Sequence, residues 1–190
     1  MQGAELKAWR RSERQRLLAL RAAARPAERR LWGDEIEATL RALLLERPVM
    51  TLGVYWPFQA EFDPRALIDW VIVRGFAVAL PEVFDKKGPL EYCAWRPGEA
   101  LVDGVWDIPI PKAREVVVPD AVLAPLVGFD RQCYRLGYGG GYFDRTLAAF
   151  STRPFAIGVG YEISRIETIF PQSFDMPMDV IVTEALIRRR

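Results

Sequence analysis

The feature that most restricts the fold is a change of hydrophobic period partway along the chain. Up to about residue 46 apolar side chains recur at helical spacing, and beyond Pro48 they gather in short runs separated by further helical stretches. Residues 5–24 read as one helix and 27–46 as a second. The second is started by Pro26 near its first position, has Glu28 in its first turn and carries Trp32, Ile36, Leu40, Leu43 and Leu44 at helical spacing. Val49 to Tyr55 then reads as a strand, Asp63-Pro64 opens a helix to about Arg74, and Gly75 ends it before a strand from Phe76 to Leu80. Pro81 to Pro119 is rich in Pro and Gly, with weak strand signals such as Leu90 to Trp95, and is expected to be irregular covering structure. A strand over Ala121 to Phe129, a helix over Tyr142 to Phe150, and strands over Phe155 to Gly160 and Asp179 to Thr183 complete the series. Strands alternating with helices predict an α/β chain. The expectation is a mainly parallel sheet with helices on both faces, a Rossmann-like open three-layer sandwich that takes ligands at the carboxyl ends of its strands.

With 190 residues, 51% of them hydrophobic, the chain can bury one sizeable core, and a single domain over 1–190 is expected. Histidine is absent. That removes a Ser-His-Asp triad, a Cys-His dyad and His-ligated zinc, leaving carboxylates, Lys/Arg, Tyr, backbone groups or a bound metal to do any chemistry. Cys93 and Cys133 are too few for a zinc site and imply no oxidising compartment. The first residues contain no apolar leader, and no run approaches the roughly 18 apolar residues of a membrane helix. A cytoplasmic protein without a membrane partner is therefore expected. The net charge is +1, yet residues 5–30 hold nine Lys/Arg against three acids, so a basic first helix is expected to lie against an acidic body or an anionic ligand. Aromatic residues are not interleaved with those charges and no nucleic-acid motif is present, so nucleic acid is not an expected partner.

The most informative segment is Arg135-Leu136-Gly137-Tyr138-Gly139-Gly140-Gly141-Tyr142-Phe143-Asp144. Its glycines let backbone N–H groups turn inward and approach a phosphate chain, and the following helix adds its positive end. No Lys-Ser/Thr follows the last glycine, so this is not a Walker A motif. Tyr142 occupies the third glycine's place of the dinucleotide fingerprint, although Glu162 has that fingerprint's acidic spacing. Arg135 and Asp144 bracket the loop with a phosphate-pairing charge and a magnesium-ligand type.

In this context the sequence resembles the 5-formyltetrahydrofolate cyclo-ligase family. Beyond the glycine block, the resemblance is carried by Pro125-Leu126-Val127-Gly128-Phe129-Asp130, Ile157-Gly158-Val159-Gly160-Tyr161-Glu162 and Asp175-x-Pro177-x-Asp179-x-x-x-Thr183-Glu184. Lys7 and Arg11, with Tyr55 through Asp63, look like the family's N-terminal half, so nearly the whole chain is covered. The resemblance implies an ATP- and Mg²⁺-dependent conversion of 5-formyltetrahydrofolate to 5,10-methenyltetrahydrofolate, releasing ADP and phosphate. ATP phosphorylates the formyl oxygen and N10 attacks the activated carbon. A monomer or weak homodimer is expected. A non-catalytic folate- or nucleotide-binding relative of the same fold is the alternative.

Carried over by position, Lys7 and Arg11 fit the ATP contacts of the first helix, and Arg135, Leu136, Gly137, Tyr138, Gly139, Gly140, Gly141, Tyr142 and Phe143 fit the ATP loop. Asp144 and Asp179 fit the magnesium carboxylates. Phe58 fits a wall of the formyl-pterin pocket, with Glu61 or Asp63 as its acid. Asp63 also reads as a helix cap, and spacing does not separate the two. Glu61 and Tyr142 are the expected catalytic pair. Arg21 and Arg25 serve as solvated-face comparisons for Lys7 and Arg11, and Trp56, Trp95 and Trp106 read as core or lid residues. The chain departs from the family at Cys133, where glycine is usual, at Phe143, often Tyr, and at Asp107-Ile108-Pro109-Ile110-Pro111, where many members have Gly-Ile-x-Glu-Pro.

Overall fold

The helical spacing of the first 46 residues becomes two helices in the computed structural model, α1 (Gly3–Ala23) and α2 (Pro26–Leu45). The Glu28 carboxylate accepts the Arg25 N–H at 3.0 Å and closes the start of α2. The structure describes residues 3–47 and 49–190. Met1, Gln2 and Pro48, which the sequence reading assigns to the chain start and the switch of period, lie outside the described residues.

The expected β-α-β unit follows as β1 (Thr51–Gly53), α3 (Arg65–Val73) and β2 (Ala77–Glu82), with β1 and β2 parallel. Next come β3 (Glu91–Trp95), β4 (Leu101–Asp103), β5 (Pro109–Pro111), β6 (Val116–Val117) and β7 (Ala121–Pro125). The short hairpin β8 (Gly128–Phe129) and β9 (Arg135–Leu136) leads into α4 (Tyr142–Ala149). β10 (Phe155–Val159), β11 (Val180–Val182) and β12 (Ile187–Arg189) end the chain. The main sheet has the order β12-β11-β10-β7-β1-β2-β3-β6. Its five central strands, β11 through β2, are mutually parallel. β3, β6 and β12 add antiparallel edges.

Two expectations need correction. Residues 81–119 are not all irregular, because β3 and β6 extend the sheet and β4–β5 form a separate hairpin. Pieces of two to five residues interrupted by prolines are too short for alternation to register, and pairing with neighbours defines them instead. The run Ala121 to Phe129 is two strands. β7 ends at Pro125, which has no N–H for the ladder, and a Cβ on Gly128 would lie 2.5 Å from the Leu17 side chain on α1. Near the end of the chain Arg188 and Arg189 lie in β12, which returns through a turn where Thr183 N–H donates to the Leu186 carbonyl at 3.0 Å.

On one face of the sheet, Ile36, Leu40 and Leu44 of α2 and Leu67, Ile68 and Val71 of α3 pack on Leu52, Val78, Leu123, Ile157 and Val180. The other face packs Leu147 of α4 with Val122, Ala124, Ala156, Met178 and Ile181. Successive residues of β7 thus serve opposite layers, the alternation a doubly covered sheet requires. α1 stands outside both layers, its Leu17 packed with Val127, Leu136 and Ile169. That seat lays the basic helix beside the hairpin that carries the glycine loop.

Candidate active site

At the carboxyl ends of the central strands lies a cavity of about 760 Å³, walled by Tyr55 after β1, Pro125 at the end of β7, the glycine loop, and Trp106 and Ile108 from the β4–β5 connection. A parallel sheet leaves its open crevice at this edge.

The glycine loop joins β9 to α4. Gly139 (φ 102°) and Gly141 (φ 67°) adopt left-handed backbone that other residues enter at a cost. Among the described residues none of the N–H groups of Gly139, Gly140 and Gly141 donates to another protein group, and all three glycines line the cavity, so these donors beside the start of α4 are available to an anion. Arg14 of α1 fastens the loop, its Nε donating to the Gly137 carbonyl at 2.7 Å. Arg145 donates to the Gly140 carbonyl at 2.8 Å and lies over the Tyr142 ring. Leu136 is buried beneath, against Leu17. Arg135 is buried as well, paired with Asp144 at 2.8 Å and lying 5.1 Å over the Phe143 ring. Burial lowers the pKa of its guanidinium, and the neighbouring Asp144 opposes that effect.

Opposite the loop, the segment after β1 turns back on itself through Gln59 (φ 46°) and Ala60 (φ 59°), with Glu61 N–H donating to the Phe58 carbonyl at 3.1 Å. This turn presents the Glu61 carboxylate to the cavity. One oxygen accepts the Phe58 N–H at 2.8 Å and the other accepts the Tyr138 hydroxyl at 2.7 Å. Burial raises the pKa of Glu61, and the hydrogen bonds from Tyr138 and Phe58 together with nearby Arg21 resist the shift. Phe58 is half exposed and meets the Tyr138 ring edge-on at 6.0 Å. The structure separates the two acids that spacing leaves tied. Asp63 is exposed, accepts the Arg65 N–H at 3.0 Å and pairs with the Arg65 side chain, so it fastens the start of α3 and does not line the cavity.

Other expected residues fall differently. Lys7 and Arg11 are exposed and lie outside the cavity, which Arg10 and Arg14 line instead. Arg10 donates to the Asp175 carboxylate at 2.5 Å and to the carbonyls of Ile169 and Phe170. Arg21 is no solvated control: it is buried, donating to the Leu126 carbonyl at 3.1 Å and the Tyr138 hydroxyl at 2.6 Å. Arg10, Arg14, Leu17 and Arg21 recur at four, three and four residues, and that helical stripe, anchored by the apolar Leu17, was the signal for them. Tyr138, expected at ATP, binds Glu61 on the opposite wall. Asp144 and Asp179 are not brought together. Asp179 precedes β11 at the amino edge of the sheet, where it accepts the Ala156 N–H at 2.7 Å and pairs with Arg153. Asp144 lines the cavity with its oxygens taken by Arg135 and the Met176 N–H. Among the described residues no three His, Cys, Asp or Glu gather as a metal site, so the residues fit a metal ion that arrives with phosphate ligands of its own and not a free-standing site.

Trp56 and Trp106 line the cavity, while Trp95 is buried behind Trp56 at 6.1 Å. Trp106, exposed at the tip of the β4–β5 connection with φ 60°, meets Tyr142 edge-on at 5.6 Å. Cys133 (φ 64°) and Asp107 (φ 58°), the two places where the resemblance leads one to expect glycine, occupy left-handed backbone that glycine enters at least cost.

Comparison with known proteins gives one result throughout. A family model described as 5-formyltetrahydrofolate cyclo-ligase family matches residues 6–184. The chain is 31% identical over 146 residues to the 5-formyltetrahydrofolate cyclo-ligase of Escherichia coli K12, covering 72% of this chain and 79% of that one. It is 29% identical over 151 residues to the protein of that name from Haemophilus influenzae, covering 74% and 79%. The solved structure of Aquifex aeolicus 5,10-methenyltetrahydrofolate synthetase superposes with a TM-score of 0.82 at 28% identity, over 95% of this chain and 92% of that one. The Mycoplasma pneumoniae synthetase, at 22% identity and a TM-score of 0.77, shares the fold.

Proposed function

The chain belongs to the 5-formyltetrahydrofolate cyclo-ligase family, a family of ligases, and from that premise we propose that it converts 5-formyltetrahydrofolate to 5,10-methenyltetrahydrofolate at the expense of ATP in the cavity described above. The observation that carries the reading is the meeting in one cavity of an anion cradle, Gly139 to Gly141 at the start of α4, and a buried carboxylate, Glu61, on the facing wall. ATP lies with its phosphates on the glycine N–H groups, beside Arg14 and Arg145, and the formyl-pterin lies toward Phe58 and Glu61. The terminal phosphoryl group passes to the formyl oxygen, and N10 attacks the activated carbon. Glu61 takes the proton N10 loses, and phosphate leaves with the former formyl oxygen. The protein's part is positioning and charge stabilisation, the main levers in phosphoryl transfer. Tyr142 and Trp106 close one side of the cavity and exclude water from the activated formyl group.

Magnesium entering with ATP would take Asp144 as its protein carboxylate and supply positive charge to the phosphates. The half-spent state of Asp144, already bonded to Arg135, supports only this shared role. The test is direct: purified protein with ATP, Mg²⁺ and 5-formyltetrahydrofolate is followed by the near-ultraviolet absorbance of the methenyl product. ATP-dependent appearance of that absorbance is expected, and its absence in folded protein refutes the reading.

A further inference from the structure

Glu61 is asked to act as a base from a place that disfavours its charge. It is 8% exposed, and the polar groups near it come from four parts of the chain: Tyr55 after β1, Tyr138 from the glycine loop, Tyr161 after β10, and Arg21 from α1. Arg21 is the one cation among them. It does not touch Glu61. Its guanidinium is held in place by the Leu126 carbonyl just after β7 and reaches the Tyr138 hydroxyl, which in turn reaches Glu61.

The direction of these bonds is fixed by donor chemistry. A guanidinium can only donate, so the Tyr138 oxygen accepts from Arg21 and spends its single hydrogen on the Glu61 carboxylate. A hydroxyl that accepts from a cation is a stronger donor to the next group, because each bond polarises the one after it. The arrangement also conveys part of the cation's effect to a carboxylate it does not neutralise by contact. Glu61 therefore keeps lone pairs for a proton. A direct Arg–Glu ion pair would have engaged them and produced a weaker base.

Resting on the role of Glu61 given above, we propose that Arg21 and Tyr138 are positioning residues, a one-way chain of donors from guanidinium to phenol to carboxylate that presents Glu61 to the substrate as an ionised base. Neither touches the reacting atoms through this chain. Arg21 acts through Tyr138, and Tyr138 acts through Glu61. Cations of the basic first helix thus divide by position, Arg14 fastening the phosphate loop and Arg21 tuning the base across the cavity.

The experiment is a titration of the Glu61 carboxyl by carbon-13 NMR in glutamate-labelled, full-length protein without substrate, the signal being identified by its loss in Glu61→Gln. In Tyr138→Phe one of two donors to the carboxylate is gone, and the Glu61 titration should rise by about one pH unit. In Arg21→Met the phenol remains but is no longer polarised, and a smaller rise is expected. The acidic limb of kcat/KM for the formylfolate should move in the same direction in both variants, which a merely structural loss would not produce. An unmoved titration in Tyr138→Phe overturns the chain of donors, and an unmoved one in Arg21→Met overturns the part given to Arg21. Tyr138→Phe keeps the ring and its contact with Phe58, so it answers even if Arg21→Met fails to fold. Since the titration needs no turnover, wild-type protein inactive on 5-formyltetrahydrofolate refutes the proposed function alone and leaves the donor chain to the NMR result.

Discussion

Replacing Asp144 by Asn should cost stability before any question of chemistry arises. The Arg135 side chain is 4% exposed and Asp144 18%, and the two meet at 2.8 Å. With the carboxylate neutralised, a buried guanidinium is left without its counter-charge. Breaking a buried pair from one side costs about 3–5 kcal/mol. Asn still offers an acceptor to Arg135 or to the Met176 N–H, and Asp144 is partly open to water, so the low end, about 3 kcal/mol, is expected. For a chain of this size that corresponds to a fall in Tm of about 6–12 °C. Urea unfolding followed by circular dichroism measures the loss, and the double variant Arg135→Met/Asp144→Asn separates its cause. If the uncompensated charge is responsible, the double variant should recover at least half of the loss. A single variant within about 0.5 kcal/mol of wild type, or a double variant no better than the single, refutes the reasoning. Any fall in turnover of Asp144→Asn is then read only at temperatures where the protein is folded, which distinguishes a metal role from a structural one.

Glu61 links stability to pH with a definite sign. Burial places its folded-state pKa above the unfolded value, so its contribution is fully present below about pH 4.3 and is lost as pH rises through the raised folded value. The Tm of Glu61→Gln should accordingly gain on wild type between about pH 4 and pH 8, and a constant difference would contradict the shift. Arg14→Gln should raise the KM for ATP by about tenfold, the value of one charge-assisted contact, and Lys7→Gln/Arg11→Gln by less; the reverse order in steady-state kinetics would return the phosphate contact to the exposed pair. Asp107→Gly relieves a left-handed residue on an exposed turn and should stabilise by up to about 1 kcal/mol in urea unfolding; a loss of stability would show that the Asp107 side chain has a role of its own.

The elements most legible in the sequence are those whose apolar period is long or whose boundaries carry strong stop signals. The α2 stripe from Trp32 to Leu44, the Asp63-Pro64 start, the Gly75 stop and the glycine block before Tyr142 all lie where the residues predicted. β6 and β12 were illegible, and β3 showed only faintly in the run Leu90 to Trp95, because their extent is set by partners across the ladder and not by their own two to five residues. The site divides along similar lines. The glycine loop and Glu61 line the cavity, Glu61 because its loop leaves β1 at the carboxyl edge of the sheet and the glycine loop because the separate β8–β9 hairpin carries it there. The resemblance points to Lys7 and Arg11 on α1, whereas the buried Leu6 and Leu17 phase the helix so that Arg10, Arg14 and Arg21 turn inward. Asp179 could not be separated from Asp144 by residue type. Only the topology puts one at the amino edge of the sheet and the other at the carboxyl edge.

In the proposed reaction a phosphoryl group passes from ATP to the formyl oxygen, and cyclisation then expels that oxygen as phosphate. The most direct measurement is a single turnover with 5-formyltetrahydrofolate labelled with oxygen-18 in its formyl group, followed by mass analysis of the inorganic phosphate. The label should appear in the released phosphate, one atom for each methenyl product formed. Methenyl product accompanied by unlabelled phosphate, with the label in water, would contradict the account.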